Sequence, residues 1–340
     1  MAKHFFQNNT SKKLKPPFFD PIRKGFVGTP GNLARVEAPL DRDELYRQAV
    51  SATVENDMTK VRAILEHAVV QFPDDIRFIR LLGDTHRLAG DLEKALLNYM
   101  SALVLEPRNS KVLTSIAQLL ILLGKPHDAK DFFLTAYKVN NDDTYAAFHS
   151  LHYCMHECDW NFFPDLNKIL LQGSHSPLDV PPLTLLALTD DPELHHNCVR
   201  AHGREVMKCV EETRDFDRTP VKGRKIKIGY FSNDFYDHAT MHLLGRFFEL
   251  QNRDKFEVQI FDFGTAKEND IRKRLSEIAD RYHNVKDLND VELAGLARDE
   301  GLDIAVDLKG HTKGSRLAAF GYRAAPVQVS FLGYPASTGL

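Results

Sequence analysis

An all-helical repeat stack followed by a parallel α/β lobe is the fold class this sequence predicts. Small residues recur with a 34-residue period over the first half of the chain, and from Lys225 onward short apolar strands alternate with helical segments. The chain has 340 residues, of which 43% are apolar, enough for two cores. With 44 basic residues against 47 acidic ones, its net charge of -3 supplies no field that would attract nucleic acid or an anionic membrane. The basic N-terminus lacks an apolar core segment, and no run approaches the roughly 18 apolar residues of a membrane span, so neither secretion nor insertion is expected.

Residues 1–41 carry Pro16-Pro17 and Gly28-Thr29-Pro30-Gly31 without an apolar period, and read as a flexible arm. The period begins at residue 42. Counting from Ile76, Leu82-Gly83, Gly90, Ala95, Tyr99, Ala102 and Pro107 take the signature places of a tetratricopeptide unit. One period later stand Ile116-Ala117, Gly124, Ala129, Phe133 and Ala136, and one period earlier Ala49, Leu65, Ala68 and Pro73. Residues 42–143 are therefore expected to form three tetratricopeptide repeats of an α-solenoid. Gly83, Ala95 and Ala102 leave room for two helices to approach, and Gly90 turns the chain between them. The first repeat has Asn56 in place of the turn glycine, and the third has Asn141 in place of the proline.

A helical connector is expected over residues 144–222. Its first helix carries the period to Trp160, and a later one starts at Asp191-Pro192, a cap followed by a first-turn proline, and runs toward Val210. The four cysteines, Cys154, Cys158, Cys198 and Cys209, suit a reducing cytoplasm. His149, His152, His156, Cys154 and Cys158 are of metal-ligand type, but one helix rarely supplies a whole zinc site, and ordinary packing is the expected role. No metal or other cofactor is expected.

Residues 223–340 read as a Rossmann-like α/β lobe. Strands are expected at Ile226 to Phe231, Phe256 to Phe263, Ile304 to Leu308 and Val327 to Leu332, with helices near 239–252, 270–280 and 290–300. Asn289 with Glu292 forms a capping pair, and Gly301 ends that helix. The first turn lacks G-x-G-x-x-G, which argues against a dinucleotide oxidoreductase. Instead, Ser232-Asn233-Asp234-Phe235-Tyr236-Asp237-His238 follows the first strand. His238 there can serve as a base or hydrogen-bond a sugar hydroxyl, or simply cap a helix. The loop Lys309-Gly310-His311-Thr312-Lys313-Gly314-Ser315-Arg316 combines glycines with positive charge, which suits a diphosphate but equally a solvated turn.

Taken together, the repeats, Cys158-Asp159-Trp160, Leu185 to Pro192, the D-F-x-x-H turn, the G-x-T-K-G-x-R loop and the terminal L-G-Y-P resemble, in order along residues 42–340, the O-GlcNAc transferases of glycosyltransferase family 41. The resemblance implies half of a two-lobed B-type glycosyltransferase. Such an enzyme moves N-acetylglucosamine from UDP-GlcNAc to Ser or Thr hydroxyls of proteins with inversion and without a metal. By that resemblance His238 is the active-site histidine, Thr312, Lys313 and Arg316 belong to a substrate-binding loop, and Leu332, Gly333, Tyr334 and Pro335 line the sugar pocket. His311 stands where the family usually has tyrosine, and Ala336 replaces a glycine. The family's second lobe, with most UDP contacts, lies outside this sequence, so a first lobe inactive by itself is expected. The partners implied are UDP-sugar and an acceptor protein or peptide held along the repeat groove, and exposed apolar surface around Val329, Phe331 and Tyr334 would favour self-association. The competing expectation is a non-catalytic repeat scaffold that binds peptides, with a degenerate lobe.

Overall fold

The computed structural model describes residues 41–54, 57–210, 216, 223–265 and 269–340, so nearly all of the expected arm lies outside the described residues. The chain forms two compact units that divide at Trp160/Asn161. The first is a helical repeat stack of tetratricopeptide type and the second a Rossmann-like parallel α/β lobe.

The first unit contains α1 (Arg42–Val54), α2 (Met58–Gln71), α3 (Ile76–Leu88), α4 (Leu92–Leu105), α5 (Ser110–Leu122), α6 (Pro126–Val139) and α7 (Thr144–His156). Each start has a local cause. Asp57, Asp75, Asp91, Asn109 and Asp143 cap α2, α3, α4, α5 and α7 by accepting from backbone N–H groups of the first turn. Pro126 opens α6 where no side chain caps it. Helices then pack on their neighbours through small residues: Ala49, Ala68, Ala95, Ala102, Ala129 and Ala136 are wholly buried. The contact between α3 and α4 is so close that a Cβ on Gly83 would lie 2.5 Å from the Tyr99 ring. One repeat of separation also shows as a bond, since Arg77 Nη1 donates to Asp43 at 2.9 Å, 34 positions earlier.

The expected connector 144–222 is not a single element. Its first helix, α7, belongs with the repeats, whereas residues 161–210 fall in the α/β unit. The helix expected to reach Trp160 ends at His156, because Cys158 takes a left-handed conformation (φ 55°) that terminates the helix. That turn also separates the two cysteines, with Cys154 buried and Cys158 exposed.

The second unit begins with α8 (Leu166–His175), α9 (Pro182–Leu188) and α10 (Pro192–Lys208). Its sheet is built from β1 (Ile226–Ser232), β2 (Phe256–Asp262), β3 (Arg281–Asn284), β4 (Ile304–Asp307) and β5 (Val327–Ser330), with α11 (Ala239–Glu249), α12 (Asp270–Ile278), α13 (Asp290–Asp299) and α14 (Leu317–Gly321) between them. The order is β3-β2-β1-β4-β5 and every pairing is parallel. Side chains alternate across β1: Ile228 and Tyr230 enter the core that holds Leu244 and Phe248, and Phe231 enters the opposite core with Phe261, Leu293 and Phe320.

Three details depart from the expectations. β3, with the sequence Arg-Tyr-His-Asn, carries no apolar run and was not expected as a strand. The helix α14 was not expected either. β5 stops at Ser330 instead of Leu332, because Leu332 adopts φ 64° and turns the chain back over the sheet edge.

Candidate active site

In an open parallel sheet ligands bind outside the carboxyl ends of the strands, where the strand order reverses direction. Here that point lies between β1 and β4, the first two neighbours whose crossovers lead to opposite sides. The two sequence-singled segments, Ser232 to His238 and Lys309 to Arg316, leave those strands.

The β1 turn folds on itself first. Ser232, wholly buried, accepts from the Asp234 N–H at 3.0 Å, which turns the Asp234 carboxylate inward. There it meets Lys309 Nζ at 2.5 Å, and both side chains are almost fully buried. Asp307, at the end of β4, accepts the N–H groups of Lys309 and Gly310 at 2.9 and 2.8 Å, so Lys309 leaves the strand in a fixed direction. Burial pushes the Asp307 carboxyl above its usual range, against the pull of those N–H groups and of Lys309.

His238 is the N-cap of α11. Its Nδ1 accepts from the Thr240 N–H at 3.2 Å, lies 3.1 Å from the Thr240 hydroxyl, and is 3.7 Å from Asp234 Oδ2. A ring nitrogen that accepts a backbone N–H is unprotonated, so in the neutral ring the proton sits on Nε2. The half-exposed His238 thus presents a donor outward, anchored behind by α11 and by the Asp234–Lys309 pair. Of the two chemical roles open to it in the sequence, this geometry fits hydrogen bonding to a hydroxyl better than proton abstraction.

Two glycines bring the loops together. Gly310 (φ 51°) lies against Tyr334, where an added Cβ would stand 2.3 Å from the Tyr334 Cβ. At Gly314 (φ 79°) an added Cβ would stand 2.1 Å from Asn233 Nδ2. The β1 turn, the β4 loop and the segment after β5 therefore meet at one edge. Three buried polar atoms in these loops have no hydrogen-bond partner among the described residues: Asn233 Oδ1, Ser315 Oγ and Tyr334 Oη. They are the atoms a polar ligand could satisfy.

The expected site residues separate into two groups. His238, Lys313, Leu332, Gly333, Tyr334 and Pro335 lie on the converging loops. Lys313 is exposed, Leu332 and Pro335 face outward, and Gly333 packs against the Leu308 carbonyl. Tyr334 is 3% exposed and burial pushes its hydroxyl up to about 12. It therefore cannot belong to the exposed apolar surface expected around Val329 and Phe331, although those two are exposed. Thr312 and Arg316 are engaged locally. The Thr312 hydroxyl donates to Lys309 O at 2.9 Å. Arg316 Nε donates to Asp290 at 2.6 Å, and its guanidinium lies over the Phe263 ring, toward the β2 and β3 side of the sheet. Sequence reasoning passed over Asp234, Asp307 and Asn233, and noted Lys309 only as a positive charge. The single available signal was the polar run Ser232-Asn233-Asp234 directly after a strand.

A separate cavity of about 490 Å³ lies beside the ends of β4 and β5, between α14 and the last residues, and touches this site only through Asp307. Among the described residues no group of three or more His, Cys, Asp or Glu side chains is arranged to hold a metal ion, and no helix is long and apolar enough to cross a membrane.

A family model described as glycosyl transferase family 41 matches residues 204–340. The chain is 32% identical over 116 residues to a probable UDP-N-acetylglucosamine–peptide N-acetylglucosaminyltransferase, SEC, of Arabidopsis thaliana, a match covering 34% of this chain and 12% of that protein. It is 32% identical over 128 residues to the UDP-N-acetylglucosamine–peptide N-acetylglucosaminyltransferase of Caenorhabditis elegans, covering 36% and 11%. With the probable enzyme SPINDLY of Solanum lycopersicum it shares 28% over 144 residues, covering 42% and 16%. The chain thus spans less than a fifth of the length of these relatives. Among solved structures, a mutant O-GlcNAc transferase of Thermobaculum terrenum aligns with a TM-score of 0.46 and 23% identity, over 88% of this chain and 52% of that one.

Proposed function

Since residues 204–340 match the family model of glycosyl transferase family 41, we propose that this chain serves protein O-glycosylation, moving N-acetylglucosamine from UDP-GlcNAc to Ser or Thr hydroxyls of acceptor proteins. In this reading residues 42–143 are three repeats that hold the acceptor and residues 223–340 supply one wall of the sugar site. The acceptor oxygen attacks the anomeric carbon, the bond from that carbon to the diphosphate breaks, and UDP departs with the bonding pair while the hydroxyl proton leaves to the diphosphate or to solvent.

The observation that carries the proposal is the fixed His238 donor at the strand-order switch. Its Nε2–H would orient a sugar or acceptor hydroxyl, and because Nδ1 is already occupied by α11 the ring does so without rotating. Lys313, exposed on the β4 loop, would offset charge on the departing diphosphate. Asp234 and Lys309 act behind His238 as positioning residues, since they neutralise each other in a buried pair.

Titration of UDP-GlcNAc into the isotopically labelled chain tests this reading, followed by backbone amide shifts. The expected result is shifts confined to Asn233, His238, Gly314 and the Leu332 to Tyr334 segment, weakened in Lys313→Ala. Nucleotide sugar that shifts other amides of the chain and leaves those unmoved would overturn it, and would favour the reading of a repeat scaffold with a degenerate lobe.

A further inference from the structure

In the repeat unit, a cleft of about 360 Å³ is lined by α3, α5 and the start of α7, the first helices of successive pairs. Its cations are Arg80, Arg87 and Lys111, and its carboxylates are Asp84 and Asp143. Both carboxylates are already occupied. Asp84 accepts from the Tyr99 hydroxyl at 2.6 Å and pairs with Arg80 at 2.6 Å, while Ser115 Oγ approaches to 3.4 Å. Asp143 accepts from Ser110 Oγ and from the Ala146 N–H, each at 2.9 Å.

With Arg80 paired to Asp84, the charges that remain are Arg87, Lys111 and the hydrogen-bonded Asp143, an excess of one positive charge. Lys111 is exposed and has no ion pair among the described residues. Arg87, beside the Tyr99 hydroxyl, keeps a buried Nε without a partner, and Thr114 Oγ1 in the same cleft is also unpartnered. Leaving such groups unsatisfied costs free energy that a ligand acceptor would recover. Because α4 reverses the chain between them, α3 and α5 run the same way. Asp84 touches Ser115, so Arg87 lies beyond that contact and Lys111 before it. At 1.5 Å of rise per residue the two cations stand on the order of 10 Å apart along the helices. That is about one three-residue turn of a polyproline II peptide, which rises roughly 3.1 Å per residue.

We propose that this cleft binds an acidic peptide segment in polyproline II conformation, whose three residues per turn set carboxylates three residues apart on one face to meet Lys111 and Arg87. The inference rests on the groove reading of the repeats and names the class of protein segment they select. It does not depend on sugar transfer.

The test is fluorescence anisotropy of the full chain with a labelled peptide of repeated Asp-Ser-Gly, against the same peptide with Asn in place of Asp. The acidic peptide should bind at least about tenfold more tightly, and Lys111→Glu should remove about that factor, as expected for reversing one paired charge. Arg87→Gln should also weaken binding, with circular dichroism reporting whether the helices persist. Lys208→Glu, the same charge change on an exposed site of the α/β unit, should leave the affinity unchanged. Equal affinity for the two peptides, an unaffected Lys111→Glu, or an equal loss in Lys208→Glu would each overturn the proposal. Because UDP-GlcNAc is read at amides of the α/β unit and the peptide is read here, failure of one leaves the other measurable.

Discussion

The repeat unit and the α/β unit solve the same problem, holding helices and loops close, by opposite routes. In the repeats the close approaches stay within a helix pair or step by one repeat: Gly83 meets Tyr99, Asp91 caps the helix it precedes, and Arg77 reaches Asp43 34 positions earlier. At the candidate site the decisive contacts join segments far apart, with Lys309 reaching Asp234 across 75 positions and Gly314 reaching Asn233. Local contacts repeat and can be lost one at a time. A buried long-range ion pair is single, and losing one partner strands the other.

That contrast sets the order of expected effects. Lys309→Met should be the most damaging change considered, because it leaves the Asp234 carboxylate buried without its counter-charge, at a cost of about 3 to 5 kcal/mol. Urea unfolding followed by fluorescence would show it, and adding Asp234→Asn should restore part of the loss. A neutral outcome for the single variant would mean that the pair is open to water. In the repeats, Ala95→Leu overpacks a wholly buried position and should cost about 1 to 3 kcal/mol, seen as a lower melting temperature. An unchanged melt would dispute the tight helix contact.

Acid should separate the units by sign. His149, stacked on Phe133 and against the tilted Tyr145 ring, is held by burial at about 4, below its ordinary 6.5. The unfolded chain therefore binds the extra proton first. The stability this neutral ring contributes, about 3 kcal/mol, is present above pH 6.5 and is lost as pH falls toward 4. Asp307 behaves oppositely: its raised folded pKa makes its contribution fully present below the unfolded value of 3.8 and lost as pH rises through the folded one. Melting curves across pH should flatten in His149→Phe at the acidic end, and Asp307→Asn should remove the opposing slope. If His149→Phe leaves the acid dependence intact, another group governs it.

The smallest effect belongs to a cap. Asn109→Ala removes the acceptor of the Val112 N–H and should lower stability by about 1 kcal/mol, measurable as a modest shift of the urea midpoint. A loss as large as that of Lys309→Met would break the distinction between local and long-range support.

The amino-acid order by itself determined whatever depends on neighbours along the chain. The 34-residue recurrence of small residues, the Asp and Asn caps and the alternation of β1 specify helix pairs and a strand before any folding in space. His238 was legible too, as a polar residue opening a helix just after a strand. Tertiary structure alone decided which charges are buried. Lys309 and Lys313 share one loop and one chemistry, yet Lys309 folds inward against Asp234 while Lys313 stays in water. Arg316 turns aside to Asp290, β3 forms without an apolar run because β2 offers it an edge, and Tyr334 goes inward because Leu332 bends the chain. The physical reason is range. Caps and periodic packing act within a turn or a repeat, whereas desolvation of a charge depends on every segment the folded chain brings around it.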